Sequence, residues 1–256
     1  MHASGLALSV AMAVAAGLVG CFAVMRRMAL ASDAMSHVAL PGIGIALALH
    51  VHPALGGAAA LFAGTLLVWG LERRTHVSTE TVIGVVFSLA LAVGSLLATG
   101  DELVDALLGA PGALGPWELA LGLVGAAAVS TFVLTQRNRL VLALVSADIA
   151  RTSGIRVARL ELSYLLAFAL TVALGLRYLG VLLMGSLIII PAATAKYFAR
   201  SLGGMFAISV AAAVTSTVAG ELVAARVHRP TGPVIIAIAT TLFFAGLAAR
   251  PRAPAR

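Results

Sequence analysis

The feature that most constrains this chain is a succession of apolar runs, each about as long as a helix needs to cross a bilayer. A hydrocarbon core about 30 Å thick takes roughly 20 apolar residues in a helix. The runs cover Gly5–Met25, Ala34–His50, Ala54–Leu71, Thr81–Thr99, Trp117–Gln136, Leu162–Arg177, Leu179–Ala195, Gly203–Ala225 and Gly232–Ala249. In hydrocarbon every backbone polar group must be satisfied inside its own segment, so helices are the expected solution. The second run is short and holds Pro41, Gly42 and Gly44, and the sixth and seventh are nearly continuous. The expected fold is an all-α polytopic transmembrane helical bundle of about eight or nine spans, with residues 1–256 forming a single transmembrane domain.

Composition closes off the soluble alternative. Apolar residues make up 61% and charged residues 11% of the 256 positions, against about 45–50% and about 25% in soluble domains. The mean hydropathy is +1.07. Too few polar residues exist to coat a water-facing shell. The net charge of +7 does not indicate nucleic acid, because the basic residues fall in short clusters between apolar runs, with no basic patch interleaved with aromatics. The single cysteine, Cys21, permits no disulfide within one chain. The first run begins almost at Met1 with no basic leader before it, so no cleavable signal peptide is expected.

The basic clusters set the orientation. With the turn after the first run placed in the cytoplasm, only Arg177, Arg226 and Arg229 of the 17 Lys and Arg residues fall outside. The acidic residues Asp101, Glu102, Asp105 and Glu118 fall outside too, and could meet a partner or attract cations, or form a plain solvated loop. The N-terminus is then external.

One cytoplasmic loop, at about 137–161, is long. Within it Ser146 or Asp148 can cap a short helix and Gly154 can end it. A helix of about two turns should lie on the cytoplasmic face, carrying Asp148, Ile149, Ala150 and Arg151. It reads equally as a simple loop helix or as a docking element for a cytoplasmic partner.

Ionisable groups inside membrane segments cost roughly 2.5–3.5 kcal/mol on insertion scales and are functional candidates by default. Asp33 and His37 are four residues apart, hence one turn apart on one helix face. A carboxylate and an imidazole suit Zn²⁺, Mn²⁺ or Fe²⁺. Two ligands are too few for a tight structural site, which suits a transporter that must release its ion. The competing reading is that Asp33 caps the start of the helix and His37 is a packed polar residue. Pro41 lacks the amide that would bond the His37 carbonyl, and Pro191 does the same to Leu187. Glu221, late in the eighth run, faces either an ion path or interfacial water. Glu80 suits the first turn of its helix. His50, His52, His76 and His228 lie in loops.

Enzymatic signatures are missing. There is no Gly-x-x-x-x-Gly-Lys-Ser/Thr phosphate loop and no His-Glu-x-x-His, nor a Gly-x-Ser-x-Gly elbow. Gly185-Ser186 without a placed base is thin support for an intramembrane protease.

Three stretches together resemble a known family. They are Val24-Met-Arg-Arg-Met-Ala-Leu-Ala-Ser-Asp-Ala-Met-Ser-His-Val-Ala-Leu-Pro-Gly-Ile-Gly44, Asp148-Ile-Ala-Arg-Thr-Ser-Gly154, and Gly180-Val-Leu-Leu-Met-Gly-Ser-Leu-Ile-Ile-Ile-Pro-Ala-Ala-Thr-Ala195, followed by Arg229-Pro-Thr-Gly-Pro233. Their order and spacing resemble the permease subunits of bacterial ABC importers for zinc, manganese and iron. Ala31 and Ser32 stand where that family's Ile-Gly is expected, and Glu221 is an unexpected charge. The resemblance implies a type II importer permease in the bacterial plasma (inner) membrane, moving Zn²⁺ or Mn²⁺ inward by alternating access. It implies a homodimer, cytoplasmic ATPase subunits that bind the ATP, an extracytoplasmic metal-binding protein, and no tightly bound cofactor. Asp148, Ile149, Ala150, Arg151 and Gly154 would form the coupling helix. Asp33 and His37, with Glu221 as a weaker candidate, would line the ion path, shaped by Pro41, Gly42 and Pro191. The alternative from another class is an ion-coupled secondary transporter using Asp33 and Glu221, which would usually show paired halves; none are evident.

Overall fold

The structure is a computed structural model and describes residues 3–75, 77–97, 115–179 and 181–249. Among the described residues eleven helices run in chain order: α1 Ala3–Met25, α2 Ala29–His37, α3 Ala39–Ala48, α4 Pro53–Arg74, α5 Thr79–Leu97, α6 Pro116–Val145, α7 Ala147–Thr152, α8 Val157–Leu179, α9 Val181–Phe198, α10 Leu202–Val227 and α11 Thr231–Ala249. No strand occurs among the described residues. Seven helices among the described residues are long and apolar enough to cross a membrane, while Asp33–Ala48 and Leu183–Phe198 are shorter apolar segments. All nine expected runs are thus helical, but by length alone the full spans number seven rather than eight or nine. His76 and the acidic residues Asp101, Glu102 and Asp105 lie outside the described residues.

Helix α1 is the hub. In its membrane-length window 72% of residues are buried, against 17–39% in the other six long helices. It packs against α6, α8, α9 and α10. Small residues allow the approach. A Cβ on Gly20 would overlap the Ile188 carbonyl of α9, and one on Gly17 would press to 3.2 Å from the Ser209 carbonyl of α10. Without a hydrophobic drive between helices in lipid, such close packing and interhelical hydrogen bonds hold the bundle. Ser209 Oγ donates to the Gly17 carbonyl at 2.8 Å and Tyr164 Oη to the Val19 carbonyl at 3.1 Å. Phe22 fills the centre, its ring 6.1 Å from Tyr164 and 5.7 Å from Phe206. Outer helices turn apolar side chains outward; Leu55, Val85, Leu89 and Val124 are exposed, as lipid contact requires.

The basic clusters collect at one end of the bundle. Arg26 at the end of α1 bonds Glu161 in α8 at 2.8 Å, Lys196 of α9 reaches the Val24 carbonyl at 3.5 Å, and Trp69, under Arg73, donates to the Ala158 carbonyl at 3.3 Å. The charge asymmetry predicts that this end is the cytoplasmic one.

The second run departs from expectation. It is two helices broken at Val38, and it starts at Ala29 rather than Ala34. Pro41 explains the break. An amide-less residue is tolerated in the first turn of a helix, where amides lack partners anyway, but not further along. Restarting the helix at Ala39 puts Pro41 in that first turn, and the amide of Val38 bonds the Met35 carbonyl instead. Pro191 is different: α9 runs through it.

The stretch from Gln136 to Val145 is not loop. It extends α6 to 30 residues, about 45 Å, more than a bilayer core of about 30 Å. Residues from Arg137 onward, on the basic side, therefore extend past the hydrocarbon.

Two tight turns shape the cytoplasmic face. At the end of α1, Met28 N–H bonds the Ala23 carbonyl at 2.8 Å and Arg27 N–H the Val24 carbonyl at 3.3 Å. This is a Schellman ending, with Arg27 in the left-handed region at φ +60°. A residue with a side chain pays about 1–3 kcal/mol for such a conformation. At the end of α7 the same pattern recurs, with Ile155 N–H on Ala150 and Gly154 N–H on Arg151; here the left-handed residue is a glycine, Gly154 at φ +79°.

Candidate functional site

Helix α2 lies between α5 and α9 and carries both ion-path candidates. Asp33 is the fifth residue of α2. It does not cap the helix: Met28 occupies the N-cap, and no side chain bonds there. The capping reading of Asp33 is thereby removed. Its carboxylate is exposed on this single chain and has no hydrogen-bond or ion-pair partner among the described residues.

Opposite Asp33 is Gly185 of α9. A Cβ on Gly185 would lie 3.0 Å from Asp33 Cα and 3.0 Å from its Oδ1. Glycine at 185 therefore lets α9 press against the backbone that holds the carboxylate. Two of the stretches singled out in the sequence meet at this point.

His37, one turn along, is half-buried. Its ring centre lies 5.7 Å from that of Phe87 on α5. The Nδ1 atom is buried and has no hydrogen-bond partner. Leaving a buried polar atom unpaired costs roughly 1–3 kcal/mol, so the histidine is not a packed residue with its polar atoms satisfied. An unpaired carboxylate and an unpaired imidazole nitrogen share one face of one short helix. That arrangement offers one hard oxygen and one borderline nitrogen donor to a divalent ion. Among the described residues no group of three or more His, Cys, Asp or Glu side chains is assembled, so the pair is incomplete as a tight site within one chain.

The remaining candidates are placed apart from this pair. Glu221 sits half-buried in α10, two turns before its C-terminus, and has no hydrogen-bond or ion-pair partner among the described residues. An acid near a helix C-terminus is unfavourable for the dipole. One turn earlier, the hydroxyls of Ser216 and Thr217 are fully buried and unpartnered; composition gave no sign of them, because serine and threonine are ordinary in membrane helices. Glu80 opens the first turn of α5, as expected. His52 caps α4, its Nδ1 accepting from Ala54 N–H at 3.3 Å. His50 and His228 both adopt left-handed backbone at helix ends. Glu118 folds back and accepts from the Gly115 N–H at 3.2 Å, so it caps the start of its own helix.

Gly42 has a packing role. It faces Gly56 of α4 so closely that a Cβ on either would overlap the other's carbonyl oxygen. Pro41 is met from the other side by Gly94 of α5.

The short cytoplasmic helix exists as read. Ser146 caps α7, its Oγ accepting from Ile149 N–H at 3.3 Å. Ala150 is fully buried against the bundle, whereas Ile149 is 55% exposed and Val145 just before it 75% exposed. Asp148 and Arg151 form an exposed pair at 3.4 Å. Two exposed aliphatic side chains beside a charged pair make a mixed patch on a rigid element.

Known proteins resemble the chain over nearly its whole length. The chain is 30% identical over 239 residues to the high-affinity zinc uptake system membrane protein ZnuB of Haemophilus influenzae, covering 91% of each. It is 26% identical over 239 residues to the manganese transport system membrane protein MntB of Synechocystis, covering 92% of this chain and 78% of that one. Its fold matches PsaBC from Streptococcus pneumoniae, solved in complex with Fab, with a TM-score of 0.83 at 23% identity, over 98% of this chain and 93% of that one. Residues 1–250 match the ABC 3 transport family. With seven long apolar helices among its described residues, the chain is a multi-pass plasma-membrane protein and a member of the ABC 3 transport family.

Proposed function

We propose that this chain is the membrane-spanning permease subunit of an importer for a divalent transition-metal ion, Zn²⁺ or Mn²⁺, powered by ATP hydrolysed on a separate subunit. The observation that carries the reading is the unpaired Asp33 carboxylate and buried, unpartnered His37 Nδ1 on one face of α2. The zinc and manganese systems of its relatives support the class of ion. Carboxylate plus imidazole does not choose between those metals, since affinity order alone does not set selectivity. The alternative of an ion-coupled secondary transporter finds no support in the family match.

The working model is alternating access. The ion reaches Asp33 and His37 from the outside, delivered by a metal-binding protein. A second copy of the chain would present the same pair across a central path, giving up to four protein donors of modest grip. The exposure of Asp33 on the single chain is what such a shared path needs. Helix α7 would receive the ATPase, with Ile149 as an apolar contact and Asp148–Arg151 as a polar one. ATP-driven closure of that partner would move α7 and switch which side of the path is open. Pro41 and Gly42 would let α3 restart and pack tightly next to the pair, and Pro191 would leave α9 adaptable beside Gly185. Glu221 is a second, outer candidate on the path.

The test is metal accumulation in cells carrying this chain with its ATPase and binding protein. Zinc or manganese accumulation that disappears in His37→Ala, with the protein still in the membrane, is the expected result. Accumulation that survives would move the site away from α2, and no accumulation of any divalent metal would remove the importer reading.

A further inference from the structure

The cytoplasmic helix α7 packs on α6 and α8 and the donor helix α2 on α5 and α9, and an unbroken series of stiff elements joins them. Gly154 and the paired hydrogen bonds Ile155–Ala150 and Gly154–Arg151 tie α7 rigidly to the start of α8. In the second turn of α8, Glu161 Oε1 accepts from the Arg26 guanidinium at 2.8 Å. The two side chains are only 22% and 32% exposed, so the pair is partly shielded from water. Arg26 also lies over the ring of Tyr164, 5.5 Å from its centre. Tyr164, one turn further along α8, is buried and bonds the Val19 carbonyl of α1 at 3.1 Å. The beginning of α8 therefore grips the last two turns of α1 at two points, with α6 closing the space through Leu140, Ala143 and Leu144.

Arg26 is the last residue before the left-handed turn at Arg27, and α2 begins at Ala29. The turn is held by two backbone bonds and cannot act as a slack hinge. On its other side Lys196 of α9 reaches the Val24 carbonyl, and α9 presses on Asp33 through Gly185. A displacement of α7 is thus passed to α8, from α8 through one ion pair and one tyrosine to the end of α1, and from there across the three-residue junction Arg26–Met28 to the helix that bears Asp33 and His37.

We infer that the Arg26–Glu161 pair, braced by Tyr164, is the positioning link that converts movement of α7 into movement of α2, and so couples ATP hydrolysis to release of the ion. This rests on the permease reading above. Arg26 and Glu161 do not touch the ion; they act through α2. Breaking the pair should leave α7 free to dock and the ATPase free to turn over, while the donor pair no longer follows.

The experiment uses the full complex, chain plus ATPase, in liposomes, with Zn²⁺ and Mn²⁺ as probes and the binding protein supplied outside. Metal taken up and ATP hydrolysed are measured separately, and complex assembly is checked by size-exclusion chromatography. Arg26→Gln and Glu161→Gln should each lower the ions moved per ATP by about 5- to 10-fold, the scale of a coupled contact pair, with assembly intact. Arg26→Lys should keep most of the ratio, and the exchange Arg26→Glu with Glu161→Arg should restore much of it. An unchanged ratio in both single variants overturns the link while leaving the permease reading standing. Uptake and hydrolysis falling together with loss of assembly, in the exchange as well, shows a purely structural pair and also overturns it. A wild-type complex with no ATP-dependent uptake of either metal removes the permease reading, and the link with it.

Discussion

Asp33 on α2 and Gly185 on α9 are in backbone contact: one methyl added at Gly185 would stand 3.0 Å from both the Cα and the Oδ1 of Asp33. The carboxylate proposed to meet the ion is thus held in place by the absence of a side chain on the neighbouring helix. Gly185→Ala should force α9 away from α2, a strain of about 1–3 kcal/mol. The expected outcome is a loss of metal uptake out of proportion to a modest fall in melting temperature; wild-type uptake would show that this contact does not position the carboxylate.

Asp33→Asn and His37→Ala should each abolish uptake while leaving membrane insertion intact. Among the described residues neither the Asp33 carboxylate nor His37 Nδ1 has a hydrogen-bond partner, so removing them breaks no hydrogen bond there, although His37→Ala also gives up the ring contact with Phe87. Removing His37 Nδ1 even relieves a buried unsatisfied atom, and a structural role would predict stability loss in place of transport loss. Melting curves of the purified variants beside uptake assays separate the two.

The contact of Gly42 with Gly56 gives a stability prediction. Gly42→Val should destabilise by roughly 1–3 kcal/mol or more, because overlap is with backbone that cannot rotate away. Gly70→Ala serves as control. Nothing lies within 4 Å of a Cβ there, and alanine in place of a helical glycine should be neutral or stabilising by up to about 1 kcal/mol. Thermal unfolding in detergent reads both.

Arg27→Gly should stabilise the chain. Arg27 is held at φ +60°, a conformation glycine adopts without steric cost, and relief of about 1 kcal/mol is expected. A lowered melting temperature would mean that the Arg27 side chain supplies a contact that outweighs its strain.

At α7, Ile149→Asp and Arg151→Glu should weaken capture of the ATPase subunit in co-purification without affecting insertion. Both side chains are exposed, so neither change disturbs the bundle. Full ATPase recovery with both variants would place the docking surface elsewhere.

Much of this was legible in the sequence because membrane burial leaves a simple signal. Runs of about 20 apolar residues were enough to predict the helical segments, and the distribution of arginines predicted that the basic clusters gather at one end. Ser146 and Gly154 announced α7 because capping and left-handed turns have residue preferences that act locally. Asp33 and His37 stood out because a charge or an imidazole in an apolar run is costly.

What the sequence by itself determined is therefore whatever depends on one segment and its solvent: helix or not, span or loop, inside or outside. Only the tertiary structure decided the rest. Pro41 restarts a helix wedged between α4 and α5 and so breaks the second run at Val38, while the start of α2 at Ala29, four residues before Asp33, removed the capping reading of Asp33. The extension of α6 to Val145 replaced an expected loop, since the polar Gln136–Arg139 interrupts the apolar pattern, yet Leu140, Ala143 and Leu144 continue the helix and pack near Phe22 of α1 and Leu160 and Tyr164 of α8. The meetings of Asp33 with Gly185, Gly42 with Gly56, and Arg26 with Glu161 were invisible beforehand. Each joins residues on different helices, and in lipid the choice of helix neighbours rests on shape and close approach, which no single segment records.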